Sequence, residues 1–121
     1  MRIVINEAKR LQQAWRNSLA GFAEIWRSEA AFRWWFLCNV VTTIAALVLP
    51  LGTAERALVI GFSLNVLLAE LGNTAIEKTI DRIGPERHEL SRIAKDLGSA
   101  WVMAAALVAG VVWVIVLIGL L

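Results

Sequence analysis

A chain of 121 residues has room for one small folded unit and excludes a second domain. Hydrophobic residues make up 59% of it and the mean hydropathy is +0.66, which excludes an ordinary soluble domain. A net charge of +2 gives no indication of a nucleic-acid partner, and the one cysteine, Cys38, excludes an internal disulfide. The composition therefore predicts an all-α integral membrane protein.

The first predicted element is an amphipathic surface helix over residues 6–28. Five apolar side chains fall within about 80° of one another on a 3.6-residue helix, namely Leu11, Trp15, Leu19, Phe22 and Trp26. Lys9, Arg16 and Arg27 lie on the opposite side. This pattern is typical of a helix that lies in the membrane interface. A helix that packs against a neighbouring subunit would use the same stripe, and both interpretations stay open.

Three membrane spans are predicted next, over residues 32–51, 57–76 and 100–121. Each approaches the roughly 20 residues that hydrocarbon requires. Polar residues interrupt the first at Arg33, Asn39 and Thr42, whereas the third carries no charge at all. A turn at 50–53 separates the first two spans, and Gly84 with Pro85 is expected to end the second helix. The third helix is expected to begin near Asp96.

Basic residues set the predicted orientation. Lys and Arg number six up to Arg33 at the start of the first span, one (Arg56) between the first and second spans, and five from Lys78 to Lys95. Because basic residues in short loops stay cytoplasmic, the N-terminus and the second loop are predicted to be cytoplasmic and Leu121 periplasmic.

The most informative feature is an acidic face that begins inside the second span. With Glu70 at 0° on the helix, Asn73 lies near −60°, Glu77 near −20° and Asp81 near +20°. A carboxylate at membrane depth costs roughly 2.5–3.5 kcal/mol on insertion scales, which indicates a functional site. The neighbouring acids repel one another, and Mg²⁺ held by one or two carboxylates plus phosphate oxygens would offset that repulsion.

Two structural interpretations compete with this functional one. The acids could simply be solvated, an alternative that is strongest for Asp81. Glu70 could instead pair with Arg33 or Arg56 from another helix and hold the helices together.

The familiar phosphate-binding loops are missing from the sequence: it has neither G-x-x-x-x-G-K-[ST] nor G-x-G-x-x-G. Phosphoryl transfer nevertheless needs only cations on the phosphates, in-line geometry and a group that accepts the proton of the nucleophile. Lys95, Arg87 and Arg10 could bind phosphates, and a carboxylate at membrane depth could serve a lipid hydroxyl.

Three stretches carry a resemblance to a known family. They read Glu29-Ala-Ala-Phe-Arg33, then Glu70-x-x-Asn-Thr-Ala-Ile-Glu77-x-x-x-Asp81-Arg-Ile-Gly84, then His88-Glu-Leu-Ser followed by Ala-Lys95-Asp96-x-Gly-Ser-Ala100. Together they resemble the small prokaryotic diacylglycerol kinases over nearly the whole chain. That family includes the undecaprenol kinases of Gram-positive bacteria. The segments 81–84 and 98–100 look more like its Gram-negative diacylglycerol branch.

The resemblance implies ATP-dependent phosphorylation of the primary hydroxyl of diacylglycerol to phosphatidic acid, with Mg²⁺, by a homotrimer in the bacterial inner membrane. By position, Glu70 would be the general base, Asn73 would support the reacting groups, and Glu29 and Glu77 would hold the metal. The nucleotide would contact Arg10, Asn17, Glu29, Glu77, Glu86, Arg87, His88, Lys95 and Asp96. The lipid would contact Arg10, Arg56, Glu70, Ser99 and Trp113.

The sequence departs from the family pattern at two places. Trp34 and Trp35 stand where a polar pair is familiar, and Asn17 and Arg87 stand where an aromatic residue can occur. Three alternatives to a diacylglycerol kinase are an undecaprenol kinase, a subunit of a small proton-coupled multidrug transporter and a non-catalytic assembly factor.

Overall fold

The computed structural model describes residues 1–121, except for the side chain of Arg2. The chain forms four helices, α1 (Arg2–Ser28), α2 (Ala30–Val48), α3 (Thr53–Ile83) and α4 (Glu89–Ile118). Helices α2, α3 and α4 are each long and apolar enough to cross a membrane, which confirms the predicted number of such helices. Residues 1–30 and 31–121 form two compact units, which we describe separately.

The first unit is a single helix that begins four residues earlier than predicted. Its apolar stripe is exposed: Trp15 shows 67% of its surface and Trp26 47%. The helix ends at Ser28, and the next residue, Glu29, has an extended backbone (φ −114°, ψ 108°) and donates its N–H to the carbonyl of Ile25. An exposed apolar stripe suits a membrane interface and a neighbouring subunit equally well, so both predictions for this helix stand.

In the second unit α3 packs along α4 on small side chains. The first core cluster consists of Val66, Ala69, Val102, Ala105 and Ala109, and Trp35 of α2 packs against it. A second cluster consists of Ala46, Leu51, Val59 and Val116. Small residues let membrane helices approach closely, so that van der Waals contact can hold them together.

The two adjacent tryptophans of α2 have different surroundings. Trp35 packs against the first core cluster, whereas Trp34 leaves 67% of its surface exposed. Consecutive residues on a helix are about 100° apart, so a pair of neighbouring side chains divides between the core and the outside. Trp35, where the sequence departs from the family pattern, therefore contributes to the packing of the core.

Arg56 ties the turn between α2 and α3 together. Its Nε donates to the Ala46 carbonyl at 2.8 Å, and its second guanidinium nitrogen donates to the Leu51 carbonyl at 3.2 Å. Glu55 caps the start of α3 by accepting the Gly52 N–H at 2.8 Å. The side chains at the start of α3 thus satisfy polar backbone groups that have no partner within a helix.

The second connection follows the predicted breakers. Helix α3 ends at Ile83, and Gly84 adopts φ 158° and ψ 166°, a backbone conformation that side chains with a Cβ strongly disfavour. Pro85 follows directly. The expected end of the second helix is confirmed.

The predicted start of the third membrane helix is wrong by seven residues, because α4 begins at Glu89 and not near Asp96. His88 caps the helix by accepting the Leu90 N–H on its Nδ1 at 3.1 Å. Arg92 then bridges Glu89 and Asp96, at 2.5 and 2.6 Å, across successive turns. A cap and side-chain pairs at helical spacing extend the helix into its polar segment.

Candidate active site

Glu70 and Asn73 lie one turn apart on α3 and are withdrawn from the surface. Glu70 is 6% exposed and Asn73 8%, and the neighbouring Thr74 is also buried. A helix in a membrane hides polar side chains only where they have partners or a function. The buried hydroxyl of Thr74 has no hydrogen-bond partner among the described residues. Reasoning from the sequence did not single out Thr74, although it lies about 40° from Glu70 on the same helix.

Arg56 is not the partner of Glu70 within one chain. The Arg56 guanidinium is bound to carbonyls of the α2–α3 turn. Along α3 it lies 14 residues, or about 21 Å, from Glu70. The alternative in which Glu70 pairs with Arg56 therefore does not hold within one chain.

Beyond Glu70 the acidic face continues to an ion pair between α3 and α4. Lys95 Nζ donates to Asp81 Oδ1 at 2.7 Å. The hydrogen bond to the Asp81 carboxylate raises the pKa of Lys95, which precedes the apolar part of α4, and the charge of Glu77 adds to this effect. The structure thus brings Glu77, Asp81 and Lys95 together. Sequence reasoning treated Asp81 as solvated or as part of the acidic face, and missed its lysine partner.

A cleft of about 650 Å³, lined in part by acidic and basic side chains, opens at the α3–α4 connection, a size typical of small-molecule sites. Four of the predicted nucleotide residues line it, namely Glu86, Arg87, His88 and Lys95. Asp96 is not among the lining residues, and its carboxylate accepts a hydrogen bond from Arg92. Arg92 itself lines the cleft. The cleft offers cationic side chains of the kind that bind phosphate oxygens.

Three of the predicted lipid contacts lie outside the cleft on the second unit. Arg56 is at the far end of α3, and Trp113 donates its indole N–H to Ser63 Oγ at 3.2 Å. Ser63 precedes Glu70 by two helical turns, or about 10 Å. Ser99 is exposed near the buried Gly98 of α4. The lipid-binding role of these residues stays a prediction.

Three predicted residues belong to the first unit. Arg10 forms a surface ion pair with Glu7 at 3.1 Å, and Asn17 accepts a hydrogen bond from Gln13 at 2.9 Å. Glu29 accepts a hydrogen bond from the Ser28 hydroxyl at 3.0 Å. The predicted roles of Asn17 and Glu29 rest on the resemblance alone, whereas that of Arg10 also rests on its positive charge.

The described residues contain no group of three or more His, Cys, Asp or Glu side chains arranged to hold a metal ion. A Mg²⁺ ion that arrives with a nucleotide does not need such a group, because one or two carboxylates and phosphate oxygens complete its shell. Glu77 supplies a hard oxygen donor beside the cleft-lining Lys95. This donor chemistry fits a nucleotide-bound Mg²⁺.

Comparison with known proteins decides which family this arrangement represents. The sequence profile of the prokaryotic diacylglycerol kinases matches residues 16–117. The chain belongs to that family. Phosphorylation of diacylglycerol is therefore its activity, and a lipid kinase is its class. Membership also removes the transporter and the assembly-factor alternatives.

Named relatives agree with the family assignment. A diacylglycerol kinase of Pseudomonas aeruginosa is 48% identical over 111 residues, which cover 92% of this chain and 90% of that protein. The Escherichia coli diacylglycerol kinase is 40% identical over 108 residues, which cover 89% of this chain and 88% of that protein. The Haemophilus influenzae diacylglycerol kinase is 43% identical over 100 residues, which cover 81% of this chain and 83% of that protein.

Proposed function

We propose that this diacylglycerol kinase uses ATP with Mg²⁺ and transfers the γ-phosphoryl group directly to the lipid in one in-line step. The observation that carries the proposal is the single helix α3. It holds a buried carboxylate, Glu70, within the stretch predicted to span the membrane, and Glu77 and Asp81 beyond it beside Lys95. In this proposal the same helix contacts the lipid at Glu70 and the metal-bound nucleotide at Glu77.

In the proposed step the primary hydroxyl oxygen of diacylglycerol attacks the γ-phosphorus of ATP. The hydroxyl proton passes to the Glu70 carboxylate, the bond to the bridging β–γ oxygen breaks, and ADP leaves. Asn73 lies one turn from Glu70 and supports the reacting groups. General-base assistance of this kind contributes about 10²–10⁴-fold in rate.

The cleft at the α3–α4 connection would receive the nucleotide. Arg87 and Lys95 line it and carry charges that complement phosphate oxygens. Glu77 would hold Mg²⁺, and the resemblance adds Glu29 as its companion. Bound Mg²⁺ would neutralise charge on the β- and γ-phosphates.

The proposal extends to the assembly and its location. The resemblance implies a homotrimer in the bacterial inner membrane, with the N-terminus cytoplasmic and the C-terminus periplasmic. The distribution of Lys and Arg supports this orientation. Light scattering of the detergent-solubilised protein, corrected for bound detergent, should give the mass of three chains. The mass of a monomer or dimer would contradict the trimer.

The test of the reaction is a mixed-micelle assay with radiolabelled ATP, with and without Mg²⁺, offering diacylglycerol and undecaprenol in parallel. We expect labelled phosphatidic acid, formed only with Mg²⁺. Glu70→Gln should abolish turnover yet bind ATP with nearly the affinity of the parent, whereas Glu77→Gln should weaken binding of the metal–nucleotide complex. Glu55→Gln, at the other end of α3, is the matched control and should keep full turnover.

Two results would contradict the proposal. Near-normal kcat of Glu70→Gln at saturating lipid would show that Glu70 is not the base. Preferential phosphorylation of undecaprenol would show that the lipid substrate is a polyprenol.

A further inference from the structure

The buried carboxamide of Asn73 is seated in a notch that exists because residue 98 is glycine. Gly98 is a buried residue of α4. A Cβ built on it would overlap Asn73 Oδ1, lie 3.3 Å from Asn73 Cγ and lie 3.5 Å from Ile76 Cδ1. The overlapping atom is close to the backbone on a buried side chain, so it has little freedom to move away. Any side chain at position 98 would therefore displace the carboxamide.

The notch also fixes which end of the carboxamide faces α4. Asn73 Oδ1 is fully buried and accepts no conventional hydrogen bond from the described residues. It lies against the backbone of Gly98, where a Cα–H group is a weak donor of the kind found at helix–helix contacts. Because the two arms of a planar carboxamide diverge from Cγ, an oxygen seated against Gly98 leaves Nδ2 directed away from that contact. Nδ2 carries the two N–H donors of the side chain.

Those donors lie one helical turn from the proposed base. Glu70 and Asn73 are three residues apart on the same helix, and such residues are neighbours on its surface. A fixed N–H donor beside the base is suited to an oxygen of the transferring phosphoryl group, where negative charge must be stabilised. The reversed amide would turn an oxygen toward that charge and repel it.

We propose that Gly98 is a positioning residue of the kinase reaction, which acts by holding the Asn73 amide with its oxygen against α4 and its N–H donors toward the phosphoryl group. This inference rests on the proposed function and adds the residue that orients one of its groups. In the sequence, Gly98 stands out only as part of the motif that carries the family resemblance.

Gly98→Ala is the direct test, in the complete protein in mixed micelles. A misplacement of about 1 Å at a reacting centre can cost on the order of 100-fold, so kcat should fall roughly 10–100-fold while KM for ATP changes less than about threefold. Unchanged kcat would overturn the proposal.

Two glycines provide matched controls. A Cβ at Gly72 would overlap the ring of Trp101, so Gly72→Ala disturbs the same helix pair without touching Asn73. It should lower thermal stability and leave kcat within about threefold of the parent. A Cβ at Gly110 meets nothing within 4 Å, and Gly110→Ala should leave kcat unchanged without lowering thermal stability. A loss of kcat in Gly72→Ala as large as that in Gly98→Ala would overturn the proposal, since helix packing alone would then explain both.

A double-mutant cycle separates orientation from packing. Asn73→Ser shortens the side chain, removes the overlapping atoms and retains one hydroxyl donor. In that background Gly98→Ala should cost less than about threefold in kcat. The full loss in both backgrounds would overturn the proposal. If Gly98→Ala alone does not fold, the double variant must fold, and its failure would also overturn the proposal.

A spectroscopic readout keeps this inference separate from the proposed reaction. The side-chain amide resonances of Asn73, assigned by their disappearance in Asn73→Ser, should shift in Gly98→Ala and stay in place in Gly110→Ala. Lack of lipid phosphorylation by the parent protein would defeat the proposed function. Amide resonances that do not move in Gly98→Ala would defeat the positioning role.

Discussion

Arg56 is predicted to contact the lipid, but the structure places it in hydrogen bonds within the protein, and a substitution can distinguish these two roles. The resemblance implies contact with the lipid, whereas the structure shows two hydrogen bonds from its guanidinium to the carbonyls of Ala46 and Leu51, at 2.8 and 3.2 Å. These bonds fasten the end of α2 to the start of α3. We expect the substitution Arg56→Met to act mainly on stability.

The expected magnitude follows from these two bonds. A hydrogen bond from a charged donor contributes about 1.5–3 kcal/mol, and removing it leaves a partly buried carbonyl without that partner. The two bonds share one guanidinium and are not independent, so the free energy of unfolding should fall by about 2–4 kcal/mol. Arg56→Lys keeps the charge but loses the planar fork, and should lose about half as much.

The measurement is reversible unfolding in detergent micelles by titration with a denaturing detergent, followed by circular dichroism. Arg82→Met is the matched control, because Arg82 is an exposed residue in the last turn of α3, and its unfolding free energy should stay within about 0.5 kcal/mol of the parent. Parental stability of Arg56→Met would refute the structural reasoning. A raised KM for diacylglycerol in that stable variant would assign Arg56 to the lipid.

Two further predictions concern the start of α4. His88→Ala removes the side chain that accepts the Leu90 N–H, and should lower the free energy of unfolding by about 1 kcal/mol in the same titration; parental stability would show that the cap contributes nothing. Asp81→Asn removes the main cause of the raised pKa of Lys95, so that pKa should fall toward its ordinary value of 10.5. Titration of the labelled lysine side chain by NMR measures the shift, and an unchanged pKa would mean that Asp81 and Lys95 are not paired in solution.

The number and type of helices were predictable because apolar stretches and helix-terminating residues can be recognised without knowing the tertiary structure. Length and apolar content locate the spans, and Gly84 with Pro85 marks the end of α3 whatever the rest of the chain does. Helical spacing likewise predicts that Glu70 and Asn73 lie near one another. The burial of both side chains agrees with an interpretation based on depth.

What could not be predicted depends on the register between helices. Periodicity tells which residues share a face of α3, but not which residue of α4 lies opposite each of them. The ion pair of Asp81 with Lys95 and the seat of Asn73 on Gly98 both depend on that register. The early start of α4 was missed for a related reason, because a cap and charged pairs can extend a helix beyond its apolar part.

The unbroken course of α3 restricts how this protein can vary in length. From Glu70 to Asp81 the helix rises about 16 Å, and each residue added or removed between them would rotate everything beyond it by about 100°. A single insertion there would turn Asp81 away from Lys95 and separate the two levels of the acidic face. Insertions and deletions should therefore be confined to the connections at 49–52 and 84–88, where no helix transmits the rotation. The distance between Glu70 and the Asp81–Lys95 pair is therefore fixed by the number of residues between them.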